Sequence, residues 1–565
     1  MLSRKWIYDP VPDEQVVEKL SASINVSATI AAILLNRGIS DFEQARKFFR
    51  PDLNDLHDPF SMQDMTKAVL RLHRAVRDGE KILVYGDYDV DGTTAVSVVY
   101  SYLKKIGSDC YYYIPDRNKE GYGVSEAGIA WAIENKINLI IALDLGIKAA
   151  PMVEKAAIHQ IDFIICDHHE PGAELPGAVA VLDPKRPDCN YPFKELSGCG
   201  IGFKLLQAYA SRFGAVEAVF EYLDLVAVSI ASDIVPVTSE NRILAFHGLN
   251  RLGTQPRPGL KALIEISGTI KSPNISDVVF TIGPRINAAG RIAHAHGAVE
   301  LLIADTDESA RAHAAAINLK NSERRGFDLN ITEEALAMID ESPQLLQSRS
   351  TVLFKEDWHK GVIGIVASRV LEKHYKPTII LTRSNGKLTG SARSVDGFDL
   401  YAAITQCGEL LEKFGGHKYA AGLTLDESNL DAFTKKFESV VAASITDEML
   451  QPTLHIDAEI RLNQINRNFY NILKQMSPFG PQNLQPVFVA RGVSLYGTPA
   501  LLKEKHVKFS AVQDEIALNA ICFGRPELYD MLMQHQTFNI AFNIDENTYN
   551  NVTSLQLRIK DIQIA

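Results

Sequence analysis

Short apolar runs alternate with longer amphipathic segments between about residues 80 and 235. Residues 82–85, 139–143 and 161–166 are apolar runs of strand length, and helical patterns such as 94–105 and 125–136 separate them. This alternation is typical of βαβ units, in which helices cover a parallel sheet. We therefore predict an α/β domain built on a parallel sheet for this region.

The pattern changes after about residue 305. Residues 306–340 have a helical composition interrupted only by Gly326, and a helix of that length usually connects two domains. Strand-like runs at 351–354 and 378–382 predict a smaller α/β domain. Short alternating strands after 450, with one helix at 466–475, fit an OB-type β-barrel. The predicted layout is a helical segment (1–75), an α/β domain (76–304), a connecting helix (305–344), a smaller α/β domain (345–450) and a barrel (451–565).

Composition is that of an ordinary globular protein, with 46% hydrophobic and 22% charged residues in 565. No run approaches the roughly 18 apolar residues of a membrane span, and the N-terminus has no apolar signal core. We therefore expect a cytoplasmic protein without a membrane partner. The six cysteines form no C-x-x-C pair, which argues against disulfides and a thiolate zinc site. The net charge of −11 argues against a nucleic-acid partner, unless an acidic cluster binds divalent ions and reverses its local charge.

Candidate chemistry begins where the first strand ends. Residues 86–92 read Gly-Asp-Tyr-Asp-Val-Asp-Gly, with three carboxylates at alternate positions. Like charges this close raise one another's pKa unless divalent metal neutralises them. An EF-hand loop would require Glu where Val98 stands. A phosphatase nucleophile of the haloacid-dehalogenase type would follow the strand directly, whereas three residues intervene here. We favour a metal-binding pair, Asp87 and Asp89.

Two further strand ends carry metal-ligand side chains. Asp144 follows the second strand, and Asp167, His168 and His169 follow the third. In an open α/β sheet, ligands bind outside the carboxyl ends of the parallel strands, so we expect these groups to converge at one edge. Imidazole together with carboxylate suits Mn²⁺, Mg²⁺ or Zn²⁺.

These motifs resemble the DHH phosphoesterase superfamily, and most closely its RecJ branch of single-strand-specific exonucleases. Asp233, after an apolar helix, is similar to the fourth family motif. The resemblance extends over nearly the whole chain and identifies 76–304 as a DHH catalytic domain, 345–450 as a DHHA1 domain and 451–565 as an OB-fold nucleic-acid-binding domain. It has one departure: Leu145 follows Asp144 where relatives commonly have Cys or Asn. Since Leu cannot hydrogen-bond a ligand, the surroundings of that ligand are expected to differ.

The resemblance implies a 5′→3′ exonuclease that releases 5′-mononucleotides from single-stranded DNA in repair and recombination. Two ions, Mn²⁺ or Mg²⁺, would activate water and stabilise charge on the phosphodiester. Asp167 would be either a ligand or an orienting residue for its neighbours. The implied metal ligands are Asp87, Asp89, Asp144, His168, His169 and Asp233, which together with Asp167 form the expected catalytic set.

The resemblance also implies substrate contacts. Arg117, in a glycine-rich loop, is an expected phosphate contact. Residues 283–292 read as a structural turn by pattern alone, but their likeness to a RecJ segment makes them an expected substrate surface. In the DHHA1 region, Ser391 and Arg393 would hold a terminal 5′ phosphate, near glycine pairs that let backbone amides approach an anion. The expected substrate-binding residues are Arg117, Arg285, Asn287, Arg291, Ser391, Arg393, Gly415, Gly416 and His417.

In the barrel, basic and aromatic side chains suggest a single-strand-binding patch, although a packing or dimerisation domain fits the pattern equally well. The patch residues would be Lys503, Lys505, His506 and Lys508 with Phe509 and Tyr496. Two other functions stay open: a DHH enzyme acting on short oligoribonucleotides or cyclic dinucleotides, and a non-catalytic single-strand DNA-binding scaffold. RNA is also open as a substrate, because nothing visibly reads a 2′-hydroxyl. Expected partners are single-stranded DNA with a 5′ phosphate, a helicase and a single-strand-binding protein, with the chain acting as a monomer.

Overall fold

The computed structural model describes residues 4–117, 119–268, 272–292, 294–550 and 552–564. The chain divides into two compact units. The smaller unit consists of Met1–Tyr8 and Asn321–His455, and the larger of Asp9–Lys320 and Ile456–Ala565. The larger unit is therefore built from two pieces of chain that are distant in sequence.

The elements follow one another as strands and helices of moderate length. The strands are β1 (Lys5–Tyr8), β2 (Ile82–Gly86), β3 (Cys110–Tyr113), β4 (Leu139–Leu143), β5 (Asp162–Cys166), β6 (Ala180–Leu182), β7 (Thr351–Phe354), β8 (Thr378–Ser384), β9 (Lys387–Arg393), β10 (Lys413–His417), β11 (Ala420–Leu425), β12 (Thr453–Ile456), β13 (Ala458–Glu459), β14 (Phe488–Leu502), β15 (His506–Gln513), β16 (Ile516–Phe523), β17 (Thr537–Tyr549) and β18 (Val552–Ile564). The helices are α1 (Glu14–Ile24), α2 (Ala28–Asn36), α3 (Phe42–Phe49), α4 (Met65–Asp78), α5 (Val90–Lys105), α6 (Glu126–Glu134), α7 (Ala150–Ile158), α8 (Gly198–Phe213), α9 (Leu223–Ser232), α10 (Ser239–Thr254), α11 (Pro258–Ser267), α12 (Ile275–Asp277), α13 (Gly283–Ile292), α14 (His296–Leu302), α15 (Asp307–Asp340), α16 (Pro343–Gln347), α17 (Ile363–Lys373), α18 (Leu400–Thr405), α19 (Leu430–Ser444), α20 (Arg467–Gln475) and α21 (Leu528–Gln534).

A five-stranded parallel sheet forms the centre of the larger unit, in the order β3-β2-β4-β5-β6. Its central strands are apolar at almost every position because helices bury both faces. On one face α5, α8 and α9 pack against alternate residues such as Val84 and Ile141, and on the other α6 and α7 cover Leu83 and Ile140. The predicted parallel-sheet domain is confirmed.

The last part of the chain closes into a barrel. Strands β14, β15, β16, β18 and β17 pair in that order, and β17 returns to pair with β14. Helices α1 to α3 contribute side chains such as Leu20 and Leu34 to the same apolar core as the barrel residues Phe488 and Phe542. The predicted barrel is confirmed. One member of its predicted binding patch is wrong: Phe509 is a core residue at 4% exposure, because its strand position faces the barrel interior.

The smaller unit contains a mixed sheet in the order β10-β11-β9-β8-β7. Helices α18 and α19 pack on one face and α17 on the other, which confirms the smaller α/β domain. The Gly415–Gly416 pair, whose composition is common in turns, lies instead inside strand β10, where Gly415 pairs with Gly422 and Gly416 with Ala421. Gly416 has φ +150° and packs so closely on β11 that a β-carbon there would lie 2.3 Å from the Ala420 carbonyl oxygen.

Two predictions about helices had opposite outcomes. The long helix expected over 306–340 is confirmed as α15. The pattern-based prediction of a turn over 283–292 is wrong, because these residues form α13. Pro284 is tolerated near a helix start, and the helix continues beyond it because Ile286, Ala288 and Ala289 pack into the core.

The helices of the described residues are mostly too short or too polar to cross a membrane. No single helix there combines the length and apolarity that a span requires, although the bent pair α1 and α2 meets the criterion when taken together.

Candidate metal centre

Seven carboxylate and imidazole side chains meet at the carboxyl edge of the parallel sheet; we call them the metal cluster. The register places Gly86 beside Leu143 and Leu143 beside Cys166, so the residues that follow the three strands emerge together. The cluster contains three groups of three residues that share members. Within each group, the ligand atoms lie within 4.8 Å of one another. These groups are Asp87, Asp89 and Asp144; Asp144, His168 and His169; and Asp91, His168 and Asp233.

His168 lies at the centre of the metal cluster. Its Nε2 atom is 3.2 Å from Asp144 Oδ1, 3.6 Å from Asp233 Oδ2 and 3.9 Å from Asp91 Oδ2. Burial lowers the pKa of His168 below its usual value, which favours the neutral imidazole that ligates metals. The structure therefore brings together all six residues expected as ligands, and it adds Asp91.

The turn after β2 depends on its glycines. Asp89 caps the N-terminus of α5, accepting a hydrogen bond from Gly92 N at 3.0 Å. A β-carbon at position 92 would lie 2.5 Å from the backbone of Asp87, so only glycine lets the helix start this close to the strand end. Asp87 and Asp89 therefore both lie in the tight turn that connects β2 to α5.

Asp144 adopts a conformation that is uncommon for a side-chain-bearing residue. Its φ is +61°, and such left-handed positions concentrate at functional sites. A β-carbon at Gly198 would lie 2.6 Å from the Asp144 β-carbon, so α8 can begin against this turn only with glycine. Leu145 is fully buried in the apolar cluster that also contains Ile165. The departure at Leu145 is therefore accommodated by core packing.

Asp167 is buried and uses both carboxylate oxygens within the protein. One oxygen accepts hydrogen bonds from His168 N at 2.8 Å, His169 N at 3.2 Å and His169 Nδ1 at 2.7 Å. The other accepts from Ile147 N at 2.9 Å. Burial opposes ionisation, but the hydrogen bonds outweigh it and hold the pKa of Asp167 below its usual value. The same pair raises the pKa of His169 despite burial.

Asp91 was not among the ligands predicted from sequence. It is 1% exposed and accepts hydrogen bonds from Gly198 N at 2.7 Å, Cys199 N at 2.9 Å and Ser229 Oγ at 2.6 Å. Its carboxylate thus satisfies amides at the N-terminus of α8, where helices leave N–H groups unpaired. The alternate spacing of the three acidic residues was the only signal in the sequence.

Electrostatics indicate that this cluster is built for cations. Burial raises the pKa of Asp87, with Asp89 adding to the rise, and burial also raises the pKa of Asp144, with Asp91 and Asp89 contributing. Burial with the same neighbours raises the pKa of Asp233 to about 9. Among the described residues, Oδ1 of Asp87 and Oδ1 of Asp144 are buried and accept no hydrogen bond, although His168 Nε2 lies 3.2 Å from the Asp144 atom. Unpaired buried carboxylate oxygens beside imidazoles fit a hard divalent cation.

Helix α13 runs beside the metal cluster and is held there by two glycines. A β-carbon at Gly283 would lie 2.9 Å from Ser232 Oγ, next to Asp233, and one at Gly290 would lie 2.8 Å from the carbonyl oxygen of Tyr88. Tyr88 lies between Asp87 and Asp89 in the chain. The helix therefore packs against two separate segments that supply cluster residues.

The expected substrate contacts of the larger unit lie close to these segments. The Arg117 guanidinium is 5.0 Å from the centre of the Tyr88 ring. Burial raises the pKa of Tyr88 to about 12, and the positive charges of Arg117 and of Arg291, at the end of α13, oppose that rise. Arg285 lies earlier in the helix and donates hydrogen bonds to the Thr281 carbonyl at 2.6 Å and Asn318 Oδ1 at 3.1 Å. Asn287 lies between the two arginines of α13 and is partly exposed.

Tyr122 is a site residue that the sequence analysis did not single out. Its hydroxyl donates to the Asp144 carbonyl at 3.2 Å and lies 3.3 Å from His169 Nδ1. Its position in the same glycine-rich loop as Arg117, between Gly121 and Gly123, was the available signal.

In the smaller unit, the expected phosphate contacts lie side by side. Ser391 pairs with Gly422, which pairs with Gly415 on the next strand. Arg393 Nη1 donates to Ser391 Oγ at 3.1 Å. A β-carbon at Gly364, in the first turn of α17, would lie 3.0 Å from both the Arg393 guanidinium and Ser391 Oγ.

A groove of about 580 Å³ lies on the smaller unit, and Gly415 and Gly422 are part of its lining. Gly416 and His417 continue strand β10 on its exposed side. The structure therefore places all five expected residues of this unit on strands β9 and β10, which pair with opposite edges of β11.

Three family models and several known proteins match this chain. The family models for the DHH family, N-terminal domain, the DHHA1 domain and the RecJ OB domain match residues 81–230, 347–443 and 456–561. The chain is 36% identical to the single-stranded-DNA-specific exonuclease RecJ of Bacillus subtilis (strain 168), covering 98% of this chain and 70% of the relative. It is 32% identical to the protein of the same name from Escherichia coli (strain K12), covering 89% and 90%.

Solved structures agree with these matches. A crystal structure of RecJ in complex with Mn²⁺ from Thermus thermophilus superimposes with a TM-score of 0.86 at 25% identity, covering 99% of this chain and 80% of that one. A crystal structure of exonuclease RecJ bound to manganese gives a TM-score of 0.61 at 31% identity, covering 70% of this chain and 98% of that one.

Proposed function

Because the chain belongs to the RecJ family of single-stranded-DNA-specific exonucleases, we propose that it degrades single-stranded DNA from the 5′ end to 5′-mononucleotides. The observation that carries this proposal is the metal cluster, with its unpaired buried oxygens on Asp87 and Asp144. The enzyme is a metal-dependent phosphodiesterase that uses Mn²⁺ or Mg²⁺. Its activity serves DNA repair and recombination.

The cluster residues divide into those that hold ions and those that hold other residues. When bound, two divalent ions supply an activated water and stabilise charge on the scissile phosphate. Asp167 and Asp91 have their oxygens occupied by amides, a hydroxyl and an imidazole. Asp167 therefore orients the histidines, and Asp91 positions the start of α8. The residues that hold the ions are Asp87, Asp89, Asp144, His168, His169 and Asp233.

The chain's arginines and glycines bind the strand. Arg117 and Arg291 both lie near Tyr88 and counter the negative charge of phosphates that approach Asp87. In α13, Arg285 and Asn287 add donors along the strand. In the smaller unit, Ser391 and Arg393 hold the terminal 5′ phosphate, which gives the reaction its 5′→3′ direction. Gly415, Gly416 and His417 let the nucleic-acid backbone approach the sheet closely.

The cellular setting follows from the same proposal. A single-strand-specific exonuclease needs a source of single strands, so we infer that it works in the cytoplasm with a helicase and a single-strand-binding protein. All groups of the metal cluster come from one chain, which supports action as a monomer. The barrel, with Lys503, Lys505 and Lys508 exposed, provides further contacts to the strand.

Degradation of DNA labelled at its 3′ end tests the proposed function. Substrates with 5′ phosphate and 5′ hydroxyl, single-stranded and duplex, are incubated with Mn²⁺ or Mg²⁺. We expect progressive shortening from the 5′ end on single strands only, faster with the phosphate, and abolished in Asp89→Asn. Glu18→Gln, a change on an exposed face of α1, is the matched control and should retain full activity.

Three results would contradict the proposal. Binding of single strands without cleavage under either metal would indicate a scaffold. Cleavage confined to very short RNA or cyclic dinucleotides would indicate a different DHH enzyme. Shortening from the 3′ end would remove the role assigned to Ser391 and Arg393.

A further inference from the structure

A phenylalanine stands exposed on the turn that leads into α13. Phe280 is 78% exposed, whereas Val278 and Ile282 on either side are fully buried. It belongs to a π-helical turn, Val278–Ile282, and such turns are rare and frequent at functional sites. Both the position and the exposure of this ring make it available to stack on a planar ligand.

Pro284 explains why the turn is wide. In an α-helix the N–H of residue 284 would donate to the carbonyl of Phe280, but proline has no N–H and its ring crowds that carbonyl. The N–H of Gly283 instead donates to the carbonyl of Val278, five residues earlier. The sequence therefore builds the π-helical turn, which leaves Phe280 in solvent while its neighbours remain in the core.

Phe280 begins a row of accessible residues that ends beside the metal cluster. Phe280, Pro284, Asn287 and Arg291 follow one another at spacings of four, three and four residues, which places them along one side of the helical segment. None of the four is buried. The Arg291 end of this row lies next to Tyr88, between two cluster carboxylates in the chain.

We propose that Phe280 is a stacking platform for a nucleobase of the strand being degraded, on the 3′ side of the bond that is cut. This inference rests on the proposed function and extends its substrate site. Every base presents a π-face, so an exposed ring can hold any sequence. Arg285 and Arg291 on the same segment supply the positive charge that a strand requires. A protein partner would not need the cations or the path to the cluster.

The geometry also predicts which base is held. Arg291 lies eleven positions after Phe280, or roughly 16 Å at the helical rise. A stacked strand advances about 3.4 Å per nucleotide, and a stretched one about twice that. The base on Phe280 is therefore about two to five nucleotides from the one at Arg291. Substrates shorter than this distance do not reach the ring.

Fluorescence of 2-aminopurine tests the stacking directly. The base is placed at each position from about the second to the sixth of a 5′-phosphorylated strand, and the full chain carries Asp89→Asn so that the strand is not cut. We expect quenching at one or two positions, lost in Phe280→Leu, which keeps an apolar side chain without the ring. Phe280→Trp should restore it. Phe42→Ala removes another exposed phenylalanine and should leave the quenching unchanged.

Binding of strands with one abasic nucleotide gives an independent measure. At the quenched position, the missing base should weaken binding about tenfold in the parent protein and have no further effect in Phe280→Leu. With Asp89 restored, Phe280→Leu should raise KM for long strands while leaving kcat and the cleavage of dinucleotides unchanged.

Two results would overturn the inference. Quenching and affinity in Phe280→Leu within twofold of the parent would show that the ring holds no base. Abasic penalties equal in both proteins at every position would show the same. If the parent itself neither binds nor degrades single strands, the proposed function fails, whereas normal degradation by Phe280→Leu with an unchanged KM contradicts only this inference.

Discussion

Asp167 shows how one buried carboxylate can organise a metal site without offering it an oxygen. Four donors occupy its two oxygens, and three of them belong to His168 and His169. The histidines are adjacent in the chain, so their rings can reach one site only if their backbone is held in a fixed turn. Asp167 holds that turn, and it also fixes which nitrogen of His169 faces the cluster.

Asp167→Asn should therefore weaken metal binding more than it disturbs the fold. We expect roughly a 10- to 100-fold loss of metal affinity. The amide cannot accept all four hydrogen bonds, and it carries no negative charge to interact with the His169 imidazole. Calorimetric titration with Mn²⁺ measures the affinity, and saturating Mn²⁺ should recover much of the activity. Asp78→Asn, an exposed carboxylate beside Arg77, is the control. Equal affinities in Asp167→Asn and the parent would contradict the assigned role.

Among the elements, the start of α8 shows how closely helices and strand ends meet at this site. Gly198 is the first residue of the helix, its N–H donates to Asp91, and its α-carbon faces Asp144. The helix can approach the turn after β4 because it begins with glycine. A side chain at this point would push apart the two elements that set the position of Asp144.

Gly198→Ala should cost about 1–3 kcal/mol of unfolding free energy, since its β-carbon would lie 2.6 Å from that of Asp144. It should also lower Mn²⁺ affinity by moving that carboxylate. Gly326→Ala in α15, where a β-carbon would meet no atom of the described residues within 4 Å, should instead stabilise by up to about 1 kcal/mol. Urea denaturation measures both. A Gly198→Ala protein as stable as the parent would contradict the close approach.

For the molecule as a whole, the larger unit joins chain segments that lie more than two hundred residues apart. Arg242, 4% exposed, connects them. Its guanidinium donates to the carbonyls of Phe48 at 2.8 Å, Met476 at 2.9 Å and Ser477 at 2.9 Å, and it lies 3.9 Å from the centre of the Phe48 ring. Burial lowers the pKa of Arg242 to about 9, because the cation loses its contact with water, and the carbonyls that it contacts offset only part of that loss.

Arg242→Met should destabilise the larger unit by about 3 kcal/mol, because several buried carbonyls lose their donor. In the Arg242→Met variant, we also expect the barrel and the catalytic domain to unfold in separate calorimetric transitions. Arg461→Met, which removes an exposed ion pair with Asp514, should cost at most about 1 kcal/mol. One unchanged cooperative transition in Arg242→Met would contradict the linking role.

Local patterns in the sequence were sufficient for much of the fold. Continuous apolar runs such as 139–143 predicted buried parallel strands, because strands covered on both faces need no polar positions. The acidic and histidine residues at their ends then had to converge, since parallel strands end at one edge. The long helix α15 and the barrel strands also followed from periodicity and composition. These features depend on neighbours along the chain, which is what a sequence displays.

Tertiary structure alone decided which side each of these elements presents. Phe509 belongs to the barrel core, and the Gly415–Gly416 pair lies within a strand, because packing partners distant in sequence determine burial. Asp91 accepts hydrogen bonds from the start of α8, and Leu145 packs in an apolar core. Asp89 and Asp144, close to them in the chain, offer their carboxylates to the metal cluster instead. Phe280 is exposed because Pro284 widens one helical turn while Val278 and Ile282 of that turn remain packed in the core. Burial is a property of the whole chain, so no local pattern could predict these positions.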